Sequence, residues 1–220
     1  MESFSLLGAI QGNKGLPKFI YPEKREFKGS EYLMPLANAI KISKRVEFRY
    51  RKFDNTVTKE KRVVEPYALK QFNNRWYLLA VEIGGRPEER GTIKTWGLDR
   101  IENFSITSNL FDKSPNINID DEFEGAFGIS SNSETPIEEI ILSFPPENGR
   151  YNAALPLHKS QETLIDNDKE FRIKLNVKIT YEFIMELLAQ SENMKVIKPN
   201  HLRETLIEKH KQAIKNLEGN

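Results

Sequence analysis

Val64-Glu65-Pro66-Tyr67-Ala68-Leu69-Lys70-Gln71-Phe72-Asn73-Asn74-Arg75-Trp76-Tyr77-Leu78-Leu79-Ala80 reads as two apolar runs joined by a tight turn. Asn73-Asn74 is the turn signal, because asparagine tolerates the left-handed backbone that a two-residue hairpin needs. The runs on either side are therefore expected to pair as antiparallel strands. Pro66 cannot donate to a ladder, so its position is expected at an edge or a bulge.

The same short-strand pattern continues in both directions. Upstream, Val46, Phe48 and Tyr50 alternate with Glu47, Arg49 and Arg51, which is strand periodicity. Downstream, Trp76 to Ile83 ends at Gly84-Gly85, and Thr92 to Leu98 and Ile101 to Thr107 supply two more strands. Ahead of them all, Tyr32, Leu33, Leu36, Ala37 and Ile40 fall at helical spacing over residues 30–43. A short helix followed by five strands in hairpin succession predicts a small, curled antiparallel β-barrel.

The second half reads differently. Residues 111–136 are acidic and contain Ser130-Ser131-Asn132-Ser133, with one helical segment expected over 119–127. Beyond them the order is strand (138–144), helix (147–154), strand (163–167), strand (171–179), helix (181–190), strand (195–198) and a last helix (201–217) whose stripe is Leu202, Leu206, Ile207 and Ile214. That βαββαβ succession is ferredoxin-like. The fold class is thus α+β, organised as a linker over 1–29, a barrel over 30–110, an acidic linker over 111–136 and a ferredoxin-like domain over 137–220.

Composition narrows the chemistry. The 220 residues hold no cysteine, which removes thiolate metal sites and cysteine nucleophiles, and the chain is expected in the cytoplasm without a membrane partner. A net charge of +1 excludes a uniformly basic nucleic-acid binder but conceals a strong asymmetry. Residues 41–62 carry nine basic side chains against Glu47, Asp54 and Glu60, whereas residues 110–139 carry Lys113 against eight acidic ones. No phosphate loop, dinucleotide fingerprint or nucleophile elbow is present, and His158, His201 and His210 lack metal-ligand spacing. No cofactor, no metal and no enzymatic activity are expected.

Strand alternation places Arg75 and Tyr77 on the face opposite Trp76 and Leu78. Arg49 and Arg51 likewise share a face opposite Phe48 and Tyr50. Arg100 follows Asp99 at a strand junction. Arginine forks match phosphate and tyrosine offers a stacking face, so a closed barrel could gather these groups into a groove. Two readings stay open from the residues alone: a binding groove, or surface charges with Arg100 pairing a carboxylate to fix a corner.

The hairpin, with Trp76-Tyr77-Leu78 at its centre, Glu65-Pro66-Tyr67 before it and Trp96-Gly97-Leu98-Asp99-Arg100-Ile101 after it, resembles the WYL domain family. Lys28 to Leu36 resembles the helix that leads into such domains, and Ala154 to Gln161 resembles a motif of the family's C-terminal extension. The resemblance implies an Sm-like barrel within a bacterial transcriptional regulator that senses a ligand, implied to be nucleic acid or nucleotide. It implies binding at Arg75, Tyr77 and Arg100, with Tyr50, Tyr67, Arg49 and Arg51 as further candidates, and allosteric action through a homodimer. The winged helix-turn-helix such regulators carry has no counterpart expected within residues 1–27. A stand-alone module that dimerises with a full-length regulator, or a nucleic-acid-acting enzyme, is the alternative.

Overall fold

The computed structural model describes residues 28–85, 91–130 and 134–219. The linker expected over 1–29 lies, up to residue 27, outside them. The chain divides into two compact units, residues 1–119 and 120–220.

The first unit is a bent antiparallel sheet with one helix. A 3-10 turn, Ser30–Tyr32, leads into α1 (Leu33–Lys41), which buries Leu33, Leu36 and Ala39 at spacings of three. Ser43, at φ 51°, turns the chain into β1 (Lys44–Tyr50). β2 (Arg62–Phe72) and β3 (Arg75–Ile83) form the expected hairpin, with Asn73 and Asn74 both left-handed at φ 45° and 58°. The β2–β3 register slips between Pro66 and Ala68, so the proline sits at an irregularity as expected. β4 (Ile93–Gly97) and β5 (Ile101–Leu110) complete the sheet in the order β4-β3-β2-β1-β5. One core takes Leu36 from α1, Phe48 from β1, Val64 from β2, Leu78 from β3, Trp96 from β4 and Ile101 from β5, so the sheet has curled around it.

β3 departs from simple alternation. Tyr77, Leu79 and Val81 are buried along with Leu78 and Ala80. Tyr77 therefore does not project beside the exposed Arg75, because both faces of this strand are covered.

Residues 111–136 do not form one free connection. Phe111 donates its N–H to the Ser43 carbonyl at 2.9 Å, and its ring meets Tyr67, placing this end with the barrel. Further on, the Gly125 carbonyl accepts from Lys178 N–H at 2.7 Å, and Phe127 packs on Phe183, within the second unit. The helix expected over 119–127 is a single turn, α2 (Ile119–Glu122), with Gly125 left-handed at φ 63° soon after it. Four closely spaced acidic residues repel one another and supply no apolar stripe.

The second unit contains β6 (Ile137–Phe144), α3 (Pro146–Ala154), β7 (Glu162–Asp166), β8 (Phe171–Lys178), α4 (Tyr181–Gln190), β9 (Lys195–Lys198) and α5 (Asn200–Glu218). Its sheet order β7-β8-β6-β9, with every neighbouring pair antiparallel, is the ferredoxin-like arrangement. Thr180 caps α4, accepting from Phe183 N–H. On α5 only Leu202 and Leu206 are buried; Ile207 and Ile214, expected in the same stripe, are exposed. The helix extends beyond the second buried leucine for three turns that face solvent. Among the described residues no helix is long and apolar enough to cross a membrane.

Candidate nucleic-acid interface

The strand junction at β4–β5 is a tight 3-10 corner, Leu98–Arg100. Leu98 is fully buried and anchors it. The space over Gly97 at its entrance is filled: a Cβ there would stand 2.6 Å from Asp99 Oδ1 and 3.3 Å from Arg100 Nε. The two side chains thus fold back over the glycine. Asp99 is also paired with Arg75, at 3.6 Å, across the start of β3.

Tyr50, the last residue of β1, ties the corner from the other side. Its hydroxyl accepts the Gly97 N–H at 2.9 Å, and its ring stands edge-on to Trp96 with centroids 4.9 Å apart. Burial pushes the Tyr50 phenol above its ordinary range, opposed by the nearby Arg100 guanidinium. Trp96 Nε1 is buried and has no hydrogen-bond partner among the described residues.

Arg100 is half-buried, and its Cζ lies 4.8 Å from the Tyr50 ring centroid and 4.1 Å from that of Phe53. Phe53 is 87% exposed. A guanidinium over two aromatic faces is a cation–π arrangement, and here one of the rings stands in solvent. The result is a platform of one fixed arginine, one half-buried tyrosine and one exposed phenylalanine, with the Asp99–Arg75 pair beside it.

The other expected residues are placed elsewhere. Arg51 pairs with Glu102, and Arg49 is exposed opposite the same Glu102 in the β1–β5 ladder. Tyr67 is buried, its ring against Phe111 and its hydroxyl accepting from Ser114 N–H at 3.0 Å, so it ties the chain after β5 to the barrel. Tyr77 is 9% exposed within β3. Of the seven candidates, then, Tyr50, Arg75 and Arg100 come together. Phe53 was not among them. The signal it carries is an aromatic residue inside the basic, turn-forming run Arg51-Lys52-Phe53-Asp54-Asn55, where burial gives no reason for a phenyl ring.

The family model for the WYL domain matches residues 31–106. This segment is a WYL domain. The WYL domain coincides with α1 and the five-stranded sheet, short of the last residues of β5. No curated protein matches the chain. Among solved structures, the chain is similar to proteasome accessory factor B/C of Arthrobacter aurescens, at 17% identity and TM-score 0.37, over 91% of this chain and 29% of that one. It is also similar to a CRISPR Cas-related protein, at 7% identity and TM-score 0.49, over 86% of this chain and 51% of that one. The chain thus spans about half or less of the length of these structures. Every residue of the platform, Tyr50, Phe53, Arg75, Asp99 and Arg100, lies inside the WYL domain. Among the described residues no three histidines or carboxylates gather as metal ligands.

Proposed function

We propose that this chain is the ligand-sensing part of a bacterial, cytoplasmic transcriptional regulator, and that its WYL domain binds single-stranded nucleic acid or a nucleotide on the Arg100 platform. The observation that carries this reading is the Arg100 guanidinium held over Tyr50 while Phe53 stands exposed beside it. Bases stack on exposed rings without regard to sequence, and guanidinium groups neutralise phosphates. A platform with both elements fits a strand whose bases are unpaired. The role is sensing rather than catalysis, with no cofactor required.

The ligand would act by favouring one of two arrangements of an attached DNA-reading domain, which requires unequal affinity for the two. The regulator would be a homodimer. Exposed Ile207, Ile214 and Leu217, at spacings of seven and three along α5, support pairing through the second unit.

Phe53→Ala tests the platform without touching the core. If a base stacks on the ring, its loss should weaken binding of a fluorescent single-stranded oligonucleotide by about 1–3 kcal/mol, roughly fivefold to 150-fold in Kd. The melting temperature should stay at the wild-type value, because the side chain is exposed. Unchanged affinity in anisotropy titrations would remove Phe53 from the interface.

A further inference from the structure

A second concave surface lies where β2 begins and β3 ends. It is a groove of about 560 Å³, bordered by the β1–β2 loop, and its cationic wall is Lys52, Lys59, Lys61 and Arg62. Two carboxylates, Glu60 and Glu82, also line it. Glu82 is buried and doubly neutralised, accepting from Arg62 Nη1 at 2.8 Å and from Lys94 Nζ at 2.6 Å. A buried carboxylate persists only where cations and hydrogen bonds compensate it. Here it holds Arg62 in place at the groove wall instead of presenting free negative charge.

The loop that carries the lysines is built rather than slack. Thr58 donates its N–H to the Tyr50 carbonyl, and its Oγ1 accepts from Tyr50 N–H, both at 3.0 Å. Lys52 N–H donates to the Thr56 carbonyl at 2.7 Å, and Thr56 N–H donates to Asp54 Oδ1 at 2.9 Å. Lys61 is paired with Glu47, while Lys52 and Lys59 are in no ion pair among the described residues. Four cationic side chains against two carboxylates line the groove, with Asp54 near Lys52 as a partial counter-charge, and they make a locally positive cavity in a chain of near-zero net charge. This is where the basic run of residues 41–62 has its end, and the Arg100 platform shares no residue with it.

We infer that this groove is a second anion site that takes a phosphate or polyphosphate group, with Lys52, Lys59 and Arg62 as its donors. The two sites share no residue, although Lys52 adjoins Phe53 and Thr58 is bonded to Tyr50 in the same loop, and the groove does not depend on the function proposed for the platform.

The test titrates the full chain, labelled with ¹⁵N, with tripolyphosphate, ATP and adenosine. Tripolyphosphate and ATP should produce saturable amide shifts over residues 56–63 and at Gly84, and adenosine should not. The double variant Lys52→Glu/Lys59→Glu replaces exposed side chains and should weaken tripolyphosphate binding at least tenfold, while Arg100→Ala should leave it within twofold. The inference is overturned if the shifts never saturate, if they centre on Phe53 and residues 97–100, if adenosine binds as well as ATP, or if the charge-reversed variant binds as wild type does. Loss of oligonucleotide binding in Arg100→Ala alone, with this groove unaffected, separates the two sites; failure of the platform leaves this result standing.

Discussion

Phe48→Ala should destabilise the barrel by about 3–5 kcal/mol, the usual cost of emptying a fully buried aromatic position. Phe48 is wholly inaccessible, and its ring meets Trp96 edge-on at 5.3 Å and Tyr50 at 6.1 Å. Tyr50 is in turn one of the two rings against which Arg100 lies. The substitution therefore reaches function through packing: without Phe48, Tyr50 has no fixed seat, and the acceptor for Gly97 N–H is no longer held at the corner. The second unit has its own core around Leu142, Ile173 and Phe183, so it should not share the loss. Denaturant unfolding followed by tryptophan fluorescence reads the barrel selectively, since Trp76 and Trp96 are both in it. The expected result is an earlier fluorescence transition, with a helical far-ultraviolet signal from the second unit persisting beyond it. A single, unshifted transition would mean that Phe48 is not the keystone described here.

Gly29→Ala should be nearly as damaging, for a different reason. Gly29 has φ 90°, which an alanine adopts only under strain, and its carbonyl accepts from Tyr32 N–H at 3.1 Å to start the turn ahead of α1. A Cβ there would stand 2.4 Å from both the carbonyl carbon and the oxygen of Leu98. These are backbone atoms and cannot swing aside. Either α1 lifts from the sheet or the Leu98–Arg100 corner moves. Strain of this kind costs about 1–3 kcal/mol before the clash is counted. The variant should melt earlier and also bind oligonucleotide less well, because the corner that moves is the one that carries Arg100. Wild-type melting in Gly29→Ala would show that the turn and the corner are not in contact.

Much of this architecture is legible in the residues. Asn73-Asn74 announces the hairpin, and Pro66 announces the slip in register, because each has a local backbone requirement. The strand and helix succession after residue 137 identifies the ferredoxin-like unit because its periodicities change cleanly from two to 3.6. What escaped depends on neighbours distant in sequence. Tyr77 alternates with core residues as an outward side chain would, yet β3 is covered on both faces, and alternation carries meaning only where one face is wet. Ile207 and Ile214 have the spacing of a buried stripe, but α5 continues past Leu206 with its remaining turns exposed. At the site, Arg100 and Tyr50 were readable as candidates from residue type and position. Their meeting with Phe53 was not, since it depends on how the β1–β2 loop folds back over a corner about fifty residues away.

The central claim is that Arg100 contacts a phosphate of a single-stranded ligand. The most direct measurement is the salt dependence of oligonucleotide binding by wild type and Arg100→Ala. Each phosphate neutralised by a protein cation contributes roughly −0.7 to the slope of log K against log salt for single strands. The wild-type slope should be negative, and Arg100→Ala should be shallower by roughly 0.7 while melting as wild type does. An identical slope and affinity in a folded Arg100→Ala protein, or unfolding of that variant in a protein that binds no oligonucleotide at all, would make the arginine a structural corner and contradict the account.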